Sequence, residues 1–151
     1  MLAAAVAAGV PMSGHADPTE SSIDAAARDP DYATAKQALE RKDWREAVER
    51  FSRAALRDPD NADLQNYLGF SYRNLGQLAP AFKHYKRALE LNPRHRGAHE
   101  YAGEAYLMVG DLPKAEEHLA ALRRICLLPC EELADLERAI TAYRRRTGAR
   151  P

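Results

Sequence analysis

The chain has 151 residues, with 22 Lys and Arg against 22 Asp and Glu, so its formal net charge is zero. That length fits one domain, and the balance of charge removes the electrostatic case for nucleic acid or an anionic membrane as partner. With 46% hydrophobic and 29% charged residues the composition is that of a soluble globular chain, and abundant Ala with few β-branched residues favours helix.

Met1–Ala16 contains no Asp, Glu, Lys or Arg, and Leu2–Val10 is apolar until Pro11. Gly14-His15-Ala16 supplies small residues before Asp17. Residues 1–16 therefore read as a signal-peptide core cleaved after Ala16, about nine apolar residues long and too short to span a bilayer. The positively charged leader of such a core is missing, which a start further upstream would explain. No Cys follows the cleavage point, so no lipoprotein anchor is indicated. The expected location is periplasmic or secreted. Residues 17–29, polar and small, read as a flexible linker.

Asp29-Pro30 opens a helix, with Asp as N-cap and Pro at the first position, where its missing N–H costs nothing. Ala35, Ala38 and Leu39 form the apolar stripe, and Lys42-Asp43 turns the chain. Trp44, Ala47, Val48, Phe51 and Ala55 continue at helical spacing until Asp58-Pro59. The next stretch repeats this plan, with Gly76-Gln77 as the turn inside the hairpin and Asn92-Pro93 as the end. Gly69, Ala81 and Ala88 are small enough for helices to approach closely, and Tyr72 and Tyr85 fill the space beside them.

A shift of 34 residues maps Tyr67, Gly69, Tyr72, Gly76, Leu78, Ala81 and His84 onto Tyr101, Gly103, Tyr106, Gly110, Leu112, Ala115 and His118. The same shift upstream is weaker: Ala81, Ala88 and Pro93 map onto Ala47, Ala54 and Pro59, with Phe51 for Tyr85. Within residues 61–93, Leu68-Gly69, Tyr72, Gly76, Ala81, Tyr85, Ala88 and Pro93 fall at the spacing of a tetratricopeptide repeat. The stretch resembles the tetratricopeptide (TPR) family, departing where Gln65 stands in place of a frequent Trp. The resemblance implies an all-α fold: an α-solenoid of three helix hairpins, residues 28–61, 62–95 and 96–129, closed by a C-terminal capping helix over 130–147. One hairpin cannot bury its apolar face alone, so repeats stack and a terminal cap covers the last open core.

In the capping helix Leu133, Leu136, Ile140 and Tyr143 form one stripe, and Arg144, Arg145 and Arg146 sit near the C-terminus, where positive charge suits the helix dipole. A basic membrane helix is the rival reading, opposed by Glu131, Glu132, Asp135 and Glu137. Between repeat and cap lies Cys126-Leu-Leu-Pro-Cys130. Pro129 must end the preceding helix, and the bend can bring the two sulfurs together. In an exported protein the expected outcome is a disulfide. Two buried thiols, or a copper or redox site built on a Cys-x-x-x-Cys thiolate pair, remain open alternatives. His95 and His99 share a helical face but are not placed beside the Cys pair by sequence. His84 and His118 share a repeat position that should lie on the outer face.

The family's first helices line a concave groove. The resemblance places there Tyr32, Lys36, Leu39 and Glu40; Asp63, Asn66, Phe70, Arg73 and Asn74; and Gly97, Glu100, Glu104, Leu107 and Met108. Phe70, Leu107 and Met108 are apolar at positions facing out of the repeat core, which suits a packed partner, while Lys36, Asn66 and Arg73 can hydrogen-bond a peptide. The capping helix or the linker is the rival occupant. The clamp with which some TPR domains hold chaperone C-terminal tails is essentially missing: the matching positions carry Tyr32, Lys36, Tyr67, Gly97 and Tyr101. No nucleophilic triad or acid–base pair is supported, so no catalytic, cofactor or metal residue is assigned and no enzyme is expected. The function expected is binding of another protein or peptide as an adaptor or assembly factor. The alternatives are metal or redox handling by Cys126 and Cys130, and a structural homo-oligomer.

Overall fold

The computed structural model describes residues 29–148, so the signal-like segment and all but the last residue of the expected linker lie outside the described residues. Seven helices follow one another: α1 Pro30–Glu40, α2 Trp44–Arg57, α3 Ala62–Asn74, α4 Leu78–Leu91, α5 Arg96–Met108, α6 Leu112–Ile125 and α7 Glu131–Thr147. No strand occurs among the described residues. The fold is the all-α solenoid of helix hairpins that the sequence implies.

Local chemistry starts most of the helices. The Asp29 carboxylate accepts from the N–H groups of Asp31 and Tyr32, at 2.8 and 3.2 Å. Asp43, Asn61 and Asp111 each accept from the N–H three residues on, satisfying one of the donors a helix start leaves orphaned. Inside each hairpin one residue takes the left-handed conformation: Lys42 at φ 58°, Gly76 at 74° and Gly110 at 80°. These positions are 34 apart. The same tight turn therefore recurs, and the first repeat makes it with a side chain that disfavours it. Gly148, at φ 72°, ends α7.

Helices α1, α3 and α5 form one layer and α2, α4 and α6 the other, each hairpin packing on the next. Three buried clusters run through the stack. The first joins Ala35, Ala38, Ala47, Phe51 and Ala54 to Leu64 and Leu68. The second holds Ala81, Tyr85, Ala102 and Ala105, and the third joins Leu107, Leu119 and Leu122 to Leu136 and Ile140. Phe51, Leu68 and Tyr85 are each at most 2% exposed, and complete burial of such a side chain contributes about 1.5–3 kcal/mol. Each cluster mixes residues of adjacent hairpins, so no hairpin owns a complete core.

Gly69 serves a purpose different from the expected backbone approach. A Cβ there would stand 2.5 Å from the Tyr85 ring, so the glycine is the seat of that ring. Its counterpart Gly103 is covered instead by Leu136 of α7, whose methyl carbons would lie 2.7 and 2.8 Å from an added Cβ. Helix α7 thus packs directly on α5, over a seat that in the middle hairpin is filled by the hairpin's own second helix.

Candidate functional site

The concave face is built from α1, α3 and α5, with α7 as its far wall. At the α1 end the aromatic side chains pack on one another. Tyr32 meets Phe51 and Tyr67 edge-on, at ring distances of 5.8 and 6.2 Å, and Phe51 stacks on Tyr67 at 5.1 Å. Lys36 Nζ donates to Tyr67 Oη at 2.9 Å. Burial and the neighbouring Tyr67 push the Tyr32 phenol well above its ordinary range. Leu39 is half-buried against the first cluster. Exposed Glu40 closes the last turn of α1.

The middle of the groove is a second interlocked set. Phe70 lies between Trp44, at 5.7 Å, and Tyr101, at 4.7 Å. The Arg73 guanidinium sits 5.3 Å from both the Phe70 and Tyr101 rings and forms an ion pair with Glu104. Arg73 and Lys36 were expected as free donors for a peptide; both are engaged by their own chain. Phe70 was expected to point outward for a partner, but Trp44 and Tyr101 half-bury it. Asn74 donates back to the Phe70 carbonyl at 2.8 Å.

The clearest correction concerns Leu107. It is mostly turned inward: it is 8% exposed, packed with Leu136 and Ile140, and reaches the groove only as part of the wall of a recess beside Met108. The physical reason is α7, whose apolar stripe needs a surface and takes the end of α5. Met108, one residue on, is 57% exposed and lines a recess with Tyr143, Arg146 and Glu104.

Between α3, α5 and α7 the packing changes character. A recess of about 320 Å³ is walled by Asp63, Asn66 and Tyr67, by His95, Gly97, Glu100 and Tyr101, and by Glu131, Glu132 and Asp135. Asn66 is 5% exposed and Glu100 7%. The Asn66 Oδ1 is buried without a hydrogen-bond partner. Burial pushes the Glu100 carboxyl up to about 8, reinforced by Glu104, Asp135 and Glu132 and opposed by Arg73. Asp63 is held low chiefly by its hydrogen bond to His95, at 2.9 Å. Since His95 Nδ1 accepts from the Ala98 N–H, its Nε2 carries the proton donated to Asp63. Burial, with a smaller contribution from the tyrosine's own neighbours, raises Tyr101 to about 12.

Of the expected groove residues, this recess gathers Asp63, Asn66, Gly97 and Glu100; Glu104 belongs to the Arg73 pair. Sequence reasoning offered the capping helix as an occupant of the groove but did not name Glu131, Glu132 and Asp135 as groove residues. The available signal was Gly103, whose small surface invites a following helix.

The structure pairs Cys126 with Cys130, their Cα atoms 6.0 Å apart, after α6 ends at Ile125. The segment between them presents Leu127 and Leu128, 87% and 80% exposed. His99 faces His118, with Nδ1 atoms 3.0 Å apart. Burial and that neighbour push His118 down to about 4. Among the described residues no three His, Cys, Asp or Glu side chains group as a metal site requires, and nothing supports the copper alternative. No described helix is long and apolar enough to cross a membrane.

The architecture is that of a TPR-type solenoid, with its first helices forming a concave face. The tetratricopeptide repeat family profile matches residues 62–95, so the middle hairpin is a repeat of that family. No curated protein matches the chain significantly. Among solved structures, PcrH in complex with the chaperone binding region of PopD is similar at TM-score 0.67 and 22% identity, covering 84% of this chain and 94% of that one. The first TPR of Spaghetti (RPAP3), bound to the HSP90 peptide SRMEEVD, is similar at TM-score 0.65 and 19% identity, covering 73% and 87%. The Sgt2 TPR domain of Aspergillus fumigatus is similar at TM-score 0.66 and 17% identity, covering 94% and 91%. At these identities the likeness is one of fold.

Proposed function

We propose that this chain is a protein-interaction module, an adaptor or assembly factor, that holds a partner protein or peptide in its concave groove. One observation carries the reading. The groove contains a buried acceptor, Asn66 Oδ1, that its own chain leaves without a partner, beside the mostly buried Glu100. An unmet buried acceptor costs about 1–3 kcal/mol, and a ligand placed there recovers that cost. Two proteins of the same fold are solved with a peptide or with a partner's binding region, which supports a protein or peptide as the partner.

We further propose that the protein is exported, with cleavage after Ala16 and with Cys126 and Cys130 oxidised in the mature form. The uncharged run Met1–Ala16 supports the first step and the Cys pairing the second. N-terminal sequencing of the purified native protein checks it: a mature chain beginning at Asp17 is expected, and an intact Met1 in the native protein overturns it.

Photo-crosslinking in the cells that make the protein tests the groove. A photoreactive residue replaces Asp63 or Glu131 in the groove, or Lys83 or Arg123 outside it. Adducts with a partner are expected from the groove positions alone. Equal adducts from both sets overturn the assignment. An adduct that is a second copy of this chain identifies a homo-oligomer instead.

A further inference from the structure

The recess between α3, α5 and α7 is rich in carboxylates, with Glu100, Asp63, Glu131, Glu132 and Asp135 in its wall. Glu100, mid-helix and 7% exposed, has no ion pair or hydrogen bond of its own. Glu131 and Glu132 begin α7, where the helix dipole offsets part of their charge; that explanation does not reach Glu100. Asp135 pairs only with exposed Arg138, and Arg96 approaches Glu132 no closer than 3.6 Å. The second observation is independent of the carboxylates: Asn66, 5% exposed, lines the recess with its Oδ1 unpartnered. Opposite it, Gly97 keeps the space open, since a Cβ there would press on the Asn66 amide at 3.3 Å.

An acceptor-lined recess calls for a cation that donates hydrogen bonds. A bare metal ion does not fit, because the acidic side chains do not converge as ligands. An ammonium or guanidinium group does: it satisfies several separated acceptors at once, and a recess of about 320 Å³ has room for the end of a long side chain. We propose that this recess takes one Lys or Arg side chain of an extended partner peptide, which would donate to Asn66 Oδ1 and Glu100, with Asp63, Glu131 and Asp135 as the anionic rim. The inference rests on the groove reading above and adds the chemistry of what enters it.

The raised Glu100 carboxyl is consistent with an empty cation site. Glu104 on its own helix and Glu132 and Asp135 on α7 hold the proton on, and Arg73 on α3 opposes them. A guanidinium arriving beside Glu100 favours the ionised form, so binding releases a proton below about pH 8. Affinity for an Arg-bearing peptide therefore rises with pH up to that point, by at most about tenfold per unit.

The test uses the full chain, immobilised, and random short peptides capped at both ends, with Lys, Arg, citrulline, Leu or Glu fixed at the central position. Wild type is expected to enrich the Lys and Arg pools roughly tenfold over citrulline, the worth of one charge-assisted contact. Glu100→Gln should abolish most of that preference and Asp135→Asn part of it, with helicity unchanged by circular dichroism. Equal capture of all pools, when blocked by a photoreactive residue at Asp63, overturns the cation inference and leaves the groove reading standing. Capture that ignores that block, or no capture at all, overturns both. Preference seen only with uncapped peptides points to an N-terminal amine and overturns the side-chain assignment.

Discussion

The two ends of the groove are made of similar residue types and behave differently. At the α1 end Tyr32, Phe51 and Tyr67 pack on one another and Lys36 is held by Tyr67. At the α7 end Asn66 and Glu100 are nearly as buried as core residues, yet Asn66 Oδ1 is unmet and Glu100 has no ion pair. Where a chain satisfies its own groove, the groove is structure. Where it buries acceptors and leaves them unpaired, stability has been given up for something that must come from outside.

The comparison breaks first if α7 is not a true wall. Leu136→Ala should cost about 2–5 kcal/mol, because Leu136 is wholly buried over Gly103. Urea denaturation measures it, and a loss near zero would mean that α7 is a loose tail with no recess behind it.

The next test concerns sign. Burial lifts Glu100 from its ordinary 4.5 to about 8, so between those values the folded state binds more protons than the unfolded one. Stability then falls as pH rises through that window. Glu100→Gln removes the loss and should be the more stable protein above pH 8, by about 2–4 kcal/mol. Thermal melts at acid and alkaline pH decide it. Parallel curves for the two proteins would show that the carboxylate is not strained.

Glycine seats come third. Gly69→Ala should cost about 1–3 kcal/mol from overpacking, since the Tyr85 ring is buried and stiff. Gly103→Ala should cost less, because the atoms it meets are the end of a leucine. Equal losses would erase the distinction between a seat within one hairpin and a repeat–cap seat. Reducing the Cys126–Cys130 link, or Cys130→Ser, should cost about 2 kcal/mol by chain entropy for so short a loop, with melts run with and without reductant as the check. The smallest effect expected is a gain. Lys42→Gly, at φ 58°, should stabilise the first turn by up to about 1 kcal/mol.

Much of the scaffold could be read directly. Spacing and turn residues mark the helices because caps, breakers and apolar stripes act within a few residues of one another. Asp29-Pro30, Gly76, Gly110 and Gly148 all stand where the chain starts or stops a helix. The site was legible only in part. Asp63, Asn66 and Glu100 were named as groove residues, but nothing in their spacing says which would lose water and which would find partners. Leu107 was misplaced because its environment depends on α7, 24 residues further along at Glu131.

Local sequence thus determined the rods, their turns and their stacking order, since each follows from contacts a turn or one repeat away. Tertiary structure alone decided which groove acceptors are met, because burial and pairing depend on distant side chains brought together. Lys36 finds Tyr67 across 31 residues and Arg73 finds Glu104 across another 31; Glu100 finds no ion-pair partner and stands among Glu104, Glu132 and Asp135. Desolvation and charge pairing are properties of place, and place is set by the whole stack.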